Sequence, residues 1–277
     1  MLKSLRFGLL VWTGLLFAAP ILAESDSPLV FTAPPRETPE AGAALYGPLA
    51  EHLGELLSRP VVYRHPGNWL NYARDLRAGA FDVVFDGPHF ASWRIVHLEH
   101  RVLAKLPGNL VFHVVVPAVS EIAKLDDLIG KDFCGIAPPN LGTMTAISMF
   151  PNPVRQPVIR SVSGGFGKVH DAVVRGDCAA GVLRTQYYDK KLSDEQRSGL
   201  RILATSKPLP GQVVSAGPRL SAAEQAKITE SLVNGAGVKA SQPILGRFGG
   251  KATAMIPASA EEFEDVNLLL EGVVFGW

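Results

Sequence analysis

Concentrated charge is missing from this 277-residue chain: 27 Lys and Arg stand against 26 Asp and Glu, and no stretch gathers the basic residues together. Nucleic acid and anionic membrane surfaces are therefore excluded as partners, because both require clustered Lys and Arg. Cysteine is scarce as well, with only Cys134 and Cys178. No sharp strand-to-helix motif of the G-x-S-x-G type occurs, and without a complete catalytic set the chain does not read as an enzyme. His97 and His100 are three residues apart, but two histidines without a third ligand do not make a zinc site. No metal and no cofactor is expected, and both histidines read as solvent-exposed. Long apolar runs are confined to the first twenty residues, so no later segment reads as a membrane span.

That first run carries the compartment information. Lys3 and Arg6 precede an uncharged apolar stretch, residues 7–19, which is too short to cross a bilayer and has the layout of a secretory leader. Pro20 ends the stretch, and Ile21 and Ala23 occupy the small or aliphatic positions before a cut. The pattern predicts a leader over residues 1–23, cleaved before Glu24; the alternative is an uncleaved anchor. No cysteine lies near the cut, so a lipid anchor is not expected, and the mature chain reads as a soluble periplasmic monomer. In that oxidising compartment Cys134 and Cys178 either pair or remain two buried thiols. Pairing is the expectation taken forward, and closing the loop between them would contribute roughly 4 kcal/mol by chain entropy.

Past the leader, apolar strand-like runs alternate with amphipathic helical runs, the mark of an α/β fold. Residues 28–32, 61–64 and 81–85 read as strands. Between them lie a helix over 42–57, with Leu45, Leu49, Leu53 and Leu56 on one face, and a helix over 69–78. Asn68 can cap the second helix, and Gly79 suits its end. Two more strand-like runs lie within 102–116. A second set of units follows: a short helix over 125–129, strands over 133–137, 158–161 and 178–183, and helices over 142–150 and 167–175. Helices over 222–233 and 260–273 close the chain. Proline-marked crossings near Val116 and Lys207 divide it into lobe one, residues 24–115 plus 207–277, and lobe two, residues 116–206. The expected architecture is two α/β lobes with mostly parallel sheets joined by two hinge crossings; a single open sheet with an insertion is the alternative.

In open parallel sheets, ligands bind outside the C-terminal ends of the strands. Those positions hold Thr32, then Asp86, Gly87 and His89, then Asn140, Gly142 and Thr143, then Ser163 and Gly164, and last Arg184. Asn140, Gly142 and Thr143 stand at the start of a predicted helix, where unpaired N–H groups and the helix dipole suit an anion. The plainer role for Asn140 is to cap its own helix. Tyr46 and Trp69, early in predicted helices, can stack on or cover a ligand, although aromatic residues on helices more often fill cores. Asp86 beside His89 has the composition of a carboxylate-oriented base, but no nucleophile stands near it.

Several short words in this layout carry a family likeness. Tyr46-Gly47-Pro48-Leu49-Ala50, Phe81-Asp82-Val83-Val84-Phe85 and Gly87-Pro88-His89 resemble the first lobe of the PhnD-like phosphate, phosphite and phosphonate binding proteins of ABC importers. Residues 125–130 and 133–140, and Gly176-Asp177, continue the resemblance in lobe two. The resemblance implies the type II periplasmic-binding fold, hinge closure over one small molecule, and delivery of that molecule to an inner-membrane ABC permease. It also implies an oxyanion ligand such as a phosphonate, held by hydroxyls at the first helix of lobe two. Here that place reads Pro138-Pro139-Asn140-Leu141-Gly142-Thr143, with one hydroxyl and the added apolar surface of Leu141. The departure motivates an alternative, a periplasmic ligand sensor or a carrier of a larger, more apolar ligand such as a cofactor or lipid, acting on an envelope partner.

Overall fold

The structure is a computed structural model that describes residues 27–271; the expected leader and its cut before Glu24 lie outside that range. β1 (Leu29–Thr32), α1 (Pro39–Leu57), β2 (Val61–Tyr63), α2 (Trp69–Arg77), β3 (Val83–Asp86) and α3 (Pro88–Leu98) open the chain. β4 (Arg101–Lys105), the short β5 (Asn109–Leu110) and β6 (Phe112–Pro117) come next. Then follow β7 (Asp132–Gly135), α4 (Leu141–Ser148), β8 (Val158–Ser161), α5 (Phe166–Val174), β9 (Ala180–Arg184), α6 (Thr185–Lys191) and α7 (Asp194–Ser198). β10 (Leu200–Thr205), β11 (Leu209–Pro210), β12 (Val213–Ala216), α8 (Ala222–Asn234) and β13 (Ile256–Pro257) complete the order.

Local chemistry accounts for the helix limits. α1 begins earlier than its leucine periodicity, because the Thr38 hydroxyl accepts from the Ala41 amide and Pro39 supplies a pre-set first turn. Asn68 and Asn140 cap α2 and α4 through their side chains. α3 was hidden by the Gly87-Pro88 pair, which reads as a strand stop yet serves here as N-cap and first helical residue. The helix expected over 260–273 is not formed within the described residues. Two short 3-10 turns, Ala260–Phe263 and Val266–Leu269, take its place, with Asp265 left-handed between them. The cause is Ser92 on α3: its hydroxyl donates to the Phe263 carbonyl at 2.6 Å and accepts from the Asn267 amide at 2.8 Å. Groups that would have joined a helical ladder are held from outside it.

The strands form two main sheets. In the first, β2-β1-β3 run parallel, and β12, β4 and β13 add antiparallel beyond β3. In the second, β8-β7-β9 run parallel, and β6 and β10 add antiparallel. Each sheet is thus mixed, parallel in one half and antiparallel in the other, where mostly parallel sheets were expected. Apart from β13, the antiparallel strands are those next to the crossings, which the sequence could not assign to a sheet by apolar pattern alone. Both faces of both sheets are covered. On the first, Phe31, Val83 and Phe85 pack with Leu49 and Leu53 of α1 and Ile228 and Leu232 of α8, while Val84 turns to Tyr72, Leu76 and Phe90. On the second, Val114, Val116 and Val182 face one side, and Val115 and Leu183 face Val169 and Val173 of α5. Alternate residues pointing to opposite buried faces explain why these strands read as unbroken apolar runs.

The chain passes from the first sheet to the second through β5 and returns through β11, and these two short strands pair antiparallel with each other. The first passage therefore precedes the position expected near Val116. All of β6, residues 112–115 included, pairs with β9 and β10 in the second sheet. Cys134 on β7 and Cys178 just before β9 are joined, with sulfurs 2.11 Å apart and Cα atoms 5.7 Å apart.

Candidate functional site

In lobe one the expected site residues are mostly engaged within the lobe. The Thr32 hydroxyl donates to the Arg64 carbonyl at 2.7 Å and ties the β1 and β2 loops together. Tyr46 is fully buried between Phe31, Tyr63 and Phe85. Its hydroxyl and both carboxylate oxygens of Glu37 are buried without a hydrogen-bond partner, and burial holds the phenol pKa well above its usual value. Trp69, 38% exposed, leans on Phe90 and Tyr72 at the start of α2.

Asp86 does not face the cleft as a free carboxylate. Arg94 donates to it from Nη1 at 2.6 Å and from Nη2 at 2.9 Å, both side chains are essentially inaccessible, and the Tyr72 hydroxyl donates to it as well. Arg94 Nη2 also reaches the Ser215 hydroxyl at 2.8 Å. An acid so fully engaged cannot orient His89. That histidine instead places Nε2 3.0 Å from the Pro139 carbonyl of lobe two, with Nδ1 buried and unpartnered. A carbonyl accepts only, so the geometry assigns the proton to Nε2. Burial drives the imidazole pKa down to about 4. Gly87 is required here: a Cβ at this position would lie 2.7 Å from the His89 ring.

In lobe two, the Asn140 side chain accepts from the Gly142 amide at 3.0 Å and the Thr143 amide at 3.3 Å. The Thr143 hydroxyl donates to the Ile136 carbonyl at 2.6 Å. Gly142 sits against the Phe112 ring. Two first-turn amides and the one hydroxyl of this segment are thus occupied internally. Ser163 is exposed at the entry to α5, followed by Gly164 and Gly165 with φ of +95° and +83°, conformations that a side chain disfavours.

Arg184 behaves differently. It ends β9 half-buried, no described residue offers it a hydrogen bond or a carboxylate, and burial alone pulls its pKa down. With Thr185 and Gln186 it lines a cavity of about 310 Å³, closed on other sides by Asn109, Gln212 and Phe248. The walls come from lobe two, from both crossing segments and from the C-terminal part of lobe one. Of the residues anticipated from sequence, Arg184 lines this cavity; the His89 and Asn140 loops meet each other across the lobes through Pro139. Phe248 was not anticipated, because it lies in a wide helical turn, Leu245–Gly249, with no strand before it. Its ring gathers two further guanidinium groups, Arg36 at 5.7 Å and Arg247 at 4.9 Å from the centroid, and Arg247 lies 3.4 Å from Glu37. Arg36 was within reach of the sequence reading, since it sits in the same post-strand loop as Thr32. His97 and His100 are not a pair: α3 ends between them, His97 meets Glu271 at 2.6 Å, and His100, expected at the surface, is buried with its pKa pushed down to about 3 by desolvation. No cluster of metal-ligating side chains exists among the described residues.

Two lobes, two crossings and a cavity at the crossings define a type II periplasmic-binding architecture. Residues 31–263 match the family model described as ABC transporter, phosphonate, periplasmic substrate-binding protein. The chain belongs to that family, a group of solute-binding transport components rather than enzymes. Its fold is similar to that of XAC2383 from Xanthomonas citri, solved with chloride and with ATP. For the chloride form the TM-score is 0.68 at 16% identity, covering 88% of this chain and 96% of that one. PhnD1 from Prochlorococcus marinus, solved with methylphosphonate, aligns with a TM-score of 0.60 at 15% identity over 89% of this chain and 98% of that one. A binding-protein component of an ABC phosphonate transporter from Pseudomonas aeruginosa aligns with a TM-score of 0.57 at 13% identity, over 87% and 85%. No curated protein matches the sequence. No helix among the described residues is long and apolar enough to cross a membrane.

Proposed function

We propose that this protein is an exported, monomeric receptor that closes its two lobes over one small solute and hands it to an inner-membrane ABC permease. The observation that carries this reading is the cavity at the crossing strands, whose walls come from both lobes and include Arg184, which has no side-chain partner among the described residues. A ligand there touches both halves and both connectors, so binding energy favours the closed arrangement and the hinge falls at β5 and β11. On this reading lobe two runs from the end of β5 to the start of β11. Export is supported by Lys3, Arg6 and the short apolar run that follows. An oxyanion ligand is supported by proteins of the same fold solved with methylphosphonate and with ATP. A receptor role without turnover is supported by Asp86, whose engagement with Arg94 and Tyr72 leaves His89 without that carboxylate to work with.

Thermal unfolding of the mature chain against a panel of oxyanions, amino acids, amines and nucleotides tests the receptor role. A true ligand at 100 times its Kd stabilises by about 2.7 kcal/mol through mass action, which is a readable rise in melting temperature. A flat response across every class ends the proposal. The apolar-ligand reading keeps one specific support: Leu106, Leu110, Val111 and Phe248 form part of the cavity wall. An organic molecule co-purifying in native mass spectrometry would favour it.

A further inference from the structure

We propose that the solute is an extended, multiply charged oxyanion, gripped by guanidinium groups of both lobes, Arg184 on one side and Arg36 on the other, around Phe248. This rests on the receptor reading and specifies its ligand.

Three observations lead there. First, the start of α4 has little left to give: Asn140 occupies the Gly142 and Thr143 amides, and the Thr143 hydroxyl is committed to Ile136. An anion docking at that helix would have to displace its cap. Second, Arg184 is a half-buried cation that forms no ion pair with any carboxylate among the described residues. Burying an unpaired guanidinium is costly, and a ligand anion relieves the cost. Phe248, on the wall of the same cavity, holds Arg36 and Arg247 beside its ring, and Arg36 has no carboxylate partner among the described residues. Planar guanidinium forks from opposite lobes suit an oxyanion with several acceptor oxygens.

Third, the cavity adjoins another of about 560 Å³ along a shared wall that includes Gln186 and Lys190, and this second space adds Lys191 and Lys251. Across the two spaces Arg184, Lys190, Lys191 and Lys251 face a single acidic residue, Asp189. In a chain whose total charge nearly cancels, this is a local excess of cations strung along a groove. A single tetrahedral anion fills neither the space nor the charge. A chain of linked anionic groups fills both, with its inner end at Arg184 and its outer end among the lysines.

Calorimetric titration of the mature protein with methylphosphonate, pyrophosphate and tripolyphosphate, at low and at physiological salt, tests the idea. Affinity is expected to rise with each added charge, at least tenfold from methylphosphonate to tripolyphosphate, and to weaken with salt as the exposed lysines are screened. Arg184→Ala should weaken tripolyphosphate binding by about 10- to 100-fold, the worth of a charged hydrogen bond, and Arg36→Ala should weaken it to a lesser degree. Arg184→Gln, which keeps bulk and polarity, guards against misfolding and should show the same loss with an unchanged melting temperature in the absence of ligand. The inference is overturned if both Arg184 variants bind tripolyphosphate within twofold of the parent. It is also overturned if tripolyphosphate fails to bind while an amine, an amino acid or a neutral solute does, which leaves the receptor role standing. If no solute of any class binds, the receptor role falls and the inference falls with it.

Discussion

Arg94 and Arg184 are both arginines placed near the C-terminal end of a parallel strand, one in each lobe, and they have opposite fates. Arg94, 1% exposed, is locked to Asp86, itself 0% exposed, with Tyr72 and Ser215 completing the network. Arg184 is half-buried, faces a cavity and has no protein partner among the described residues. A buried charge whose valences are filled from within the fold is part of the scaffold. One left open toward a cavity is available to something that arrives from solution.

The contrast can be broken most sharply at Arg94. Removing it strands the Asp86 carboxylate in the interior, so Arg94→Ala should cost about 3–5 kcal/mol in urea unfolding, and a loss below about 1 kcal/mol would show that water or a shifted side chain replaces it. Lobe two has its own scaffold element of similar weight. Mutation of both Cys134 and Cys178 to Ser should cost about 2–4 kcal/mol, since the bridge constrains a 44-residue separation in the unfolded chain.

His89 and His100 give a smaller, pH-dependent effect in lobe one. Each has a folded pKa below its unfolded value of 6.5, at about 4 and about 3. Their contribution is whole above pH 6.5, declines as the pH falls because the unfolded chain takes up protons first, and levels off below the folded pKa. Between pH 6.5 and 4 each should lower stability by about 1.4 kcal/mol per pH unit at most. Unfolding free energies of His89→Asn measured across that window should show a shallower slope than the parent, and an identical slope would remove His89 from the account. The smallest effect belongs to Arg184. Without a partner to lose, Arg184→Ala should shift unfolding free energy by less than about 1 kcal/mol. Destabilisation as large as that of Arg94→Ala would erase the distinction between the two arginines.

Much of the scaffold was legible along the chain. The period-two and period-3.6 apolar patterns located most strands and helices up to residue 183 but not α6, α7, β10 or β12, and Asn68 and Asn140 marked helix starts because their capping contacts are local. α3 and the C-terminal turns were not legible: Pro88 serves equally as a stop or a first helical residue, and Ser92 breaks the later helix from 171 residues away. The candidate site divided the same way. Asn140 capped its own helix, the plainer of the two roles its sequence context allowed. Asp86 drew attention by its closeness to His89, yet its partner is Arg94, eight residues on, in a helix that the sequence concealed.

What the sequence by itself determined is the alternation of elements, the family words in the first lobe, and the near-neutral charge of the chain, all of which can be read along the chain without its folded contacts. Tertiary structure alone decided which charges are filled and which are open, and where the cavity lies. The crossings at β5 and β11 bring Arg184 and Phe248 to one cavity from distant parts of the chain, and Arg36 lies beside the Phe248 ring. Whether a guanidinium has a partner depends on where the folded backbone delivers its neighbours, and no periodic pattern encodes that.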